Sequence, residues 1–156
     1  MGLDRYAAIV STFKPVLDAG VAYADGDQLG IVNEIESAQD TEGTSFISDI
    51  CVIDREANAP DFDIFFFDYE PTLSVANNAA FVLADAEMEK CLGVVSFAST
   101  DFVPGGGQSV ASKTGIGMML VSPTKSTKVY AVCVARSIET WAVATSLVIR
   151  VKMYQD

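Results

Sequence analysis

The sequence predicts an all-β chain, a single domain of about eight or nine strands packed as a sandwich or barrel, and three observations carry that reading. Turn-forming clusters recur at short intervals: Asp25-Gly26-Asp27, Asp40 to Gly43, Asn58-Ala59-Pro60, Asn77-Asn78, Pro104 to Gly107 and Ser122-Pro123-Thr124. Short apolar or alternating runs lie between them. Half of the 156 residues are apolar, and a chain this long buries roughly 68–70% of its unfolded surface, enough for one core without a disulfide or metal staple.

In chain order, Asp25-Gly26-Asp27 reads as a tight turn and Gln28 to Glu36 as the strand leaving it. Thr44 to Asp54 reads as a strand with Phe46, Ser48, Ile50 and Val52 on one face and Ser45, Ile47, Asp49, Cys51 and Ile53 on the other. Asp61 to Asp68 crosses the core through Ile64-Phe65-Phe66-Phe67, because aromatic side chains pack well on a pleated surface. Asp85 to Lys90 is the one helical segment, a turn or two long with Asp85 as N-cap and acidic residues after it. Gly117 to Val121 and Val129 to Ala135 are apolar almost throughout, as strands covered on two faces are. Trp141 falls in a loop before the last strand, where Leu147, Ile149, Val151 and Met153 alternate with Val148, Arg150, Lys152 and Tyr154.

Charge narrows the chemistry. The chain has 21 acidic and 10 basic side chains, a net −11, and no histidine. Acidity opposes binding to nucleic acid or anionic membrane, both of which need cationic surface against phosphate. Absence of imidazole closes Ser-His-Asp and Cys-His catalysis and histidine metal ligation. Residues 1 to 101 hold 19 acidic and 4 basic side chains and residues 102 to 156 hold 2 and 6. Either strands from both halves interleave and the asymmetry averages out, or the fold presents opposed charged surfaces. Cys51, Cys91 and Cys133, odd in number and set in apolar runs, read as free buried thiols of a protein made in a reducing compartment. No secretory leader, lipidation pattern or membrane-length apolar run is expected.

The motif matches are weak. From Asp25 the spacing fits a calcium loop with Asp25, Asp27, Gly30, Asn33 and Glu36 at ligand positions, but Leu29 stands where an oxygen is needed and no helices flank it. Ser122 to Lys125 and Lys113-Thr114-Gly115 match β-lactamase fragments in reversed order, and Gly105-Gly106-Gly107 lacks the Lys of a phosphate loop. Asp61 with Asp63, or Glu34 with Glu36, form carboxylate pairs of the kind glycosidases use, expected by number alone among so many acids. Trp141 reads as a half-buried anchor, with an interface as its functional alternative.

Order and spacing along the chain resemble a group of small tailed-bacteriophage virion proteins, the head decoration or cement proteins. The resemblance runs from Ala22-Tyr23-Ala24-Asp25-Gly26-Asp27-Gln28-Leu29-Gly30 through Gly43-Thr44 and Ile50 to Asp54, then Phe67-Asp68-Tyr69-Glu70-Pro71-Thr72, Asn77 to Phe81 and Asp85. It closes with Gly93-Val94-Val95, Tyr130 to Arg136 and Leu147 to Tyr154. It implies a jelly-roll-like β-sandwich over residues 21–156 that binds the capsid exterior, with the major capsid protein and its own copies, as a homotrimer, for partners. No catalytic residue, cofactor or metal transfers with it, and the expected place is the virion surface after synthesis in the host cytoplasm. Residues 1–20 lie outside the match and read as an N-terminal arm whose Arg5 to Phe13 could pair with a neighbouring subunit's sheet edge. Tyr6, Ile9 and Phe13 in that arm, Phe102 and Val103 before the glycines, and Trp141 are the expected contact residues, on the ground that large apolar side chains in arms and loops often anchor interfaces. The rival expectations are a tail or head-fibre component, a calcium- or carbohydrate-binding β-sandwich module, and an enzyme working with carboxylates alone.

Overall fold

The computed structural model describes residues 7–38 and 40–155. In order the elements are β1 (Ala7–Phe13), β2 (Ala22–Tyr23), β3 (Gln28–Glu36), β4 (Thr44–Asp54), β5 (Phe62–Phe67), α1 (Asp85–Met88), β6 (Cys91–Phe97), β7 (Phe102–Pro104), β8 (Ser109–Val121), β9 (Lys128–Ala135), β10 (Glu139–Thr140) and β11 (Leu147–Gln155). Sheet I runs β1-β11-β4-β8-β7 and sheet II runs β3-β9-β5-β6, all antiparallel, with β2 and β10 as a small separate pair. Numbered 1 to 8, the eight long strands fall in the orders 1-8-3-6 and 2-7-4-5, the connectivity of a jelly roll.

The inner faces enclose one core. Ile47, Ile50, Val52, Ile149 and Val151 of sheet I meet Leu29, Ile64, Phe66, Ala131 and Cys133 of sheet II, all fully buried. Phe62 and Phe97 stack across β5 and β6 with ring centroids 5.3 Å apart. The buried Cys133 thiol is pushed far up by desolvation.

The alternation expected for β4 holds only from Ile50 onward. Ser48 has no partner in either ladder: Ile47 and Asp49 pair with Met153 and Lys152 of β11, and with Met118 and Thr114 of β8. The extra residue turns the strand over, so Ile47 and Ile50 both face the core and Phe46 faces solvent. On β8 three residues, Gly115, Ile116 and Gly117, lie opposite Ser48, and the two glycines take φ +66° and +67°.

Sheet II is covered twice. Between β5 and β6 the chain makes a long excursion that lays Leu73, Phe81 and Leu83 on the outer face of that sheet, against Phe65, Phe67, Val132 and Val134. This accounts for β9, whose Val129 and Ala131–Ala135 are all buried. The same expectation for Gly117 to Val121 is overturned, since only Leu120 of that stretch is buried. Helix α1 lies in this excursion; its N-cap is Ala84 rather than Asp85, with no side-chain cap. Glu87 instead accepts from the Thr72 amide at 2.8 Å and pairs with Lys90, which pins the helical turn to the preceding strap.

Two polar knots fix the loops. Asn77 accepts from the Gly30 amide (2.7 Å) and the Tyr23 hydroxyl (2.8 Å) and donates to the Val16 carbonyl (2.9 Å), while the Tyr23 hydroxyl accepts from the Asp18 amide. Gly30 sits here because its φ is +79° and a Cβ would come within 2.8 Å of the Val16 nitrogen. At the other end, fully buried Asp54 accepts from the Trp141 indole (3.3 Å), the Glu56 amide (3.1 Å) and the Ala59 amide (2.9 Å). Glu56 clamps the adjoining loop by accepting from the Ala142 and Val143 amides and the Ser146 hydroxyl.

Residues 7–13, expected in an arm, are strand β1 of the chain's own sheet, paired along their whole length with β11 from Ala7 opposite Gln155 to Phe13 opposite Ile149. The sandwich therefore includes them, and the arm boundary at residue 20 is not a boundary of the fold. Tyr6 lies outside the described residues.

Candidate protein-interaction surface

The excursion that lies on sheet II leaves the outer face of sheet I largely uncovered, with Val148, 5% exposed, the buried exception. Strand register arranges that face in four cross-strand rows. Ala8, Tyr154, Phe46 and Met119 form the first; Val10, Lys152, Asp49 and Thr114 the second; Thr12, Arg150, Cys51 and Ser112 the third; and Val148, Ile53, Val110 and Val103 the fourth. The outer two rows are apolar and the central two are polar.

Several of these apolar side chains stand in solvent: Val103 is 68% exposed, Met119 51%, Tyr154 48% and Phe46 45%. An aromatic side chain can bury roughly 150–250 Å², so about half of that area at Phe46 and at Tyr154 remains open to a partner. Tyr, Phe, Met and Arg are the residue types enriched where proteins meet. The bulge at Ser48 is what brings Phe46 to this face beside Tyr154 and Met119.

Charge on this face is unlike the rest of the molecule. Its charged side chains are Arg150, Lys152 and Asp49, with Lys152 3.7 Å from Asp49, and Arg150 has no ion pair among the described residues. A depression of about 380 Å³ runs between the two central rows and is lined by Val10, Asp49, Cys51, Thr114, Arg150 and Lys152. On the opposite side, the excursion carries Asp68, Glu70, Asp85, Glu87 and Glu89 against Lys90 alone, and β3 adds Glu34 and Glu36 facing Lys128. Both expectations for the charge asymmetry are met in part: strands of the two halves interleave, β1 and β4 with β11 and β8 in sheet I and β9 between β3 and β5 in sheet II, while the acidic excursion 68–90 lies on sheet II alone.

The expected contact residues divide. Val103 stands on the exposed face. Phe13, Phe102 and Trp141 are buried in the chain's own core, and Ile9 is half-buried against it. Trp141 in particular is 0% exposed, edge-on to Tyr23 at 5.7 Å, so it offers neither an external anchor nor a sugar platform. Large apolar size in a loop signalled burial at these positions, because the sequence does not show which loops fold back over the sandwich ends.

The calcium reading of Asp25, Asp27, Asn33 and Glu36 fails on geometry. Gln28–Glu36 is extended strand, which spreads nine residues over about 30 Å instead of wrapping them round an ion. Each group has other work: Asp27 accepts from the Ala24 amide, Asp25 lies 3.8 Å from Arg136, Asn33 donates to the Ile31 carbonyl, and Glu36 accepts from the Thr127 hydroxyl. Among the described residues no group of three or more carboxylate or cysteine side chains could hold a metal ion. The carboxylate pairs are likewise engaged, Asp63 with Arg136 at 2.7 Å, Asp61 with the Ser99 amide, and both Glu34 and Glu36 with Lys128.

The fold and this face together define an all-β sandwich of jelly-roll order in which an excursion lies on the outer face of sheet II and none lies on that of sheet I. No protein-family model matches the chain, and no curated protein sequence matches it.

Proposed function

We propose that the chain is a non-enzymatic structural protein of a tailed-phage virion that decorates and stabilises the capsid exterior, with the open face of sheet I against the major capsid protein and the acidic cover outward. The observation that carries this reading is the segregation itself. A chain of net −11 keeps one sheet face nearly free of carboxylates, with Arg150 and Lys152 in its central rows and apolar rows on either side. The order of motifs resembling head decoration proteins supplies the identity of the partner. Stabilisation would be by mass action: a ligand that binds the mature shell and not its disassembled subunits adds about 2.7 kcal/mol per site when present at a hundredfold excess over its Kd.

Co-sedimentation of the purified protein with mature capsids and with precursor shells tests this. The protein is expected with mature capsids only. Phe46→Glu combined with Met119→Glu should remove it from the pellet, while Glu70→Gln combined with Glu89→Gln on the acidic cover should leave it there. Binding unaffected by the first pair, or no pelleting with capsids at all, would overturn the reading; pelleting with isolated tails or fibres in place of heads would move it to those parts.

A further inference from the structure

A sheet edge offers unpaired amides and carbonyls to any other strand, and proteins block such edges with charge, proline, bulges or a covering side chain. Three of the four main edges here are blocked, each differently. Edge strand β7 has three residues, ends in Pro104 and pairs only with Ser109–Ala111; beyond it the edge of β8 carries Lys113 and is broken by the irregularity at Gly115–Gly117, both glycines at positive φ. Edge strand β3 is interrupted in register between Leu29 and Asn33 and carries Glu34 and Glu36. Edge strand β6 skips Leu92 in its pairing, an irregularity that bends the start of its edge.

Edge strand β1 has none of these devices. Ala7-Ala8-Ile9-Val10-Ser11-Thr12-Phe13 contains no charge, proline or glycine and pairs with β11 without a register shift. Its core-side residues Ala7, Ile9 and Ser11 are only half-buried, and among the described residues no strand pairs with its outer edge.

We propose that β1 pairs antiparallel with β1 of a second copy across a two-fold axis at Val10, joining the two five-stranded sheets into one continuous ten-stranded sheet. The register follows from the strand's own sequence. With Val10 opposite the partner's Val10, Ile9 lies opposite the partner's Ser11, Ala8 opposite the partner's Thr12, and Ala7 opposite the partner's Phe13. Ile9 and Phe13 therefore meet small side chains, and the two Val10 side chains meet each other on the outer face of the sheet. Charge agrees with this register. Among the described residues the nearest like charges, Lys152 and the partner's Lys152, are three strand spacings apart, about 14 Å, beyond the screening length of about 8 Å at physiological salt, and each is paired with Asp49 of its own chain. The join also continues the open face, since Val10 lines the central depression and its own row meets itself across the axis. A seven-residue ladder is small beside a standard interface of about 1,600 Å², so the dimer is a weak, concentration-dependent one.

This pairing stands independently of the capsid reading, and its test uses the purified protein alone. Directly opposed residues in an antiparallel pair have Cα atoms about 4.5–5.5 Å apart, within the disulfide range of about 4.4–6.8 Å. In a background carrying Cys51→Ser and Cys91→Ser, Val10→Cys should give a covalent dimer under mild oxidation at least tenfold faster than Thr12→Cys. In the two-fold register Thr12 lies about 14 Å from the partner's Thr12. A mixture of Ala8→Cys with Thr12→Cys should cross-link as Val10→Cys does. Sedimentation equilibrium of the unmodified chain should show the mass rising with concentration toward twice 16.6 kDa. Val10→Lys, which sets like charges face to face across the axis, should abolish that rise; it also stands opposite Lys152 of its own chain, so Tm should fall slightly while the circular dichroism spectrum is unchanged. Equal cross-linking at positions 10 and 12, no rise in mass at any concentration, a limiting mass of three chains as the resemblance implies, or undiminished association of Val10→Lys would each overturn it.

Discussion

Replacing Asp54 by alanine separates an acid that supports the fold from one held for chemistry. The buried carboxylate is the acceptor for three donors, the Trp141 indole and the Glu56 and Ala59 amides. A buried donor left without an acceptor costs about 1–3 kcal/mol. The indole is fully buried and takes the upper part of that range; the two amides are half-buried and take the lower part. The total is about 3–5 kcal/mol, drawn toward 3 because removing the carboxylate also ends its desolvation. In a domain of this size each kcal/mol moves Tm by about 2–4 °C, so Asp54→Ala should melt roughly 6–12 °C lower. Asp54→Asn keeps the shape and one acceptor oxygen but sets an amide donor against an amide donor, and should fall between. The assay is thermal unfolding by circular dichroism together with fluorescence of Trp141, the sole tryptophan, whose emission should shift to the red in the alanine variant. A loss under about 1 kcal/mol with unchanged emission would refute the account of this knot.

Other outcomes follow from the same contacts. Burial pushes the Glu56 carboxyl up, but donation from Ser146 and the Ala142 and Val143 amides outweighs it and holds the group below the ordinary glutamate value of 4.5. The stabilisation is therefore complete above pH 4.5 and lost as pH falls toward the lowered value, so urea midpoints of Glu56→Gln and the natural chain should differ at pH 7 and converge in acid. Gly30→Ala should cost about 2–4 kcal/mol in chemical unfolding, since it combines a left-handed backbone with a Cβ 2.8 Å from the Val16 nitrogen. A thiol reagent should titrate Cys51 and Cys91 in the native protein and reach Cys133 only after denaturation, because Cys133 alone is fully buried.

Much of the architecture was legible because it is written locally. The alternation of Leu147 to Tyr154 and the unbroken apolar run Val129 to Ala135 predict one strand with a single buried face and one with two, as found except at Val148, which is buried on the outward face. The phase change at Ser48 was not legible: serine has no conformational signature there, and the bulge exists only because β8 and β11 pair with Ile47 and Asp49 on either side of it. Cover of sheet II was hidden for a related reason. Leu73, Phe81 and Leu83 are sparse, without helical or strand period, and act together only through the sheet beneath them. The open face was out of reach altogether, since Phe46, Met119 and Tyr154 become neighbours solely through long-range register. Trp141, expected as a half-buried anchor and a candidate contact residue because large side chains in loops often meet partners, is fully buried, its indole donating to Asp54.

The neighbours of β11 carry a consequence for how the protein is made. Strands β1 and β4 both lie against it and not against each other, so sheet I has a vacancy one strand wide until residues 147–155 have been synthesised. Pairings this distant in sequence form slowly, and the vacancy exposes two facing ladders of unsatisfied amides and carbonyls throughout the wait. A copy of β11 from a second nascent chain fits the same slot as well as the chain's own. Neighbouring ribosomes on one message would thus favour exchange of the final strand, and slow release or dilute expression would favour closure within one molecule.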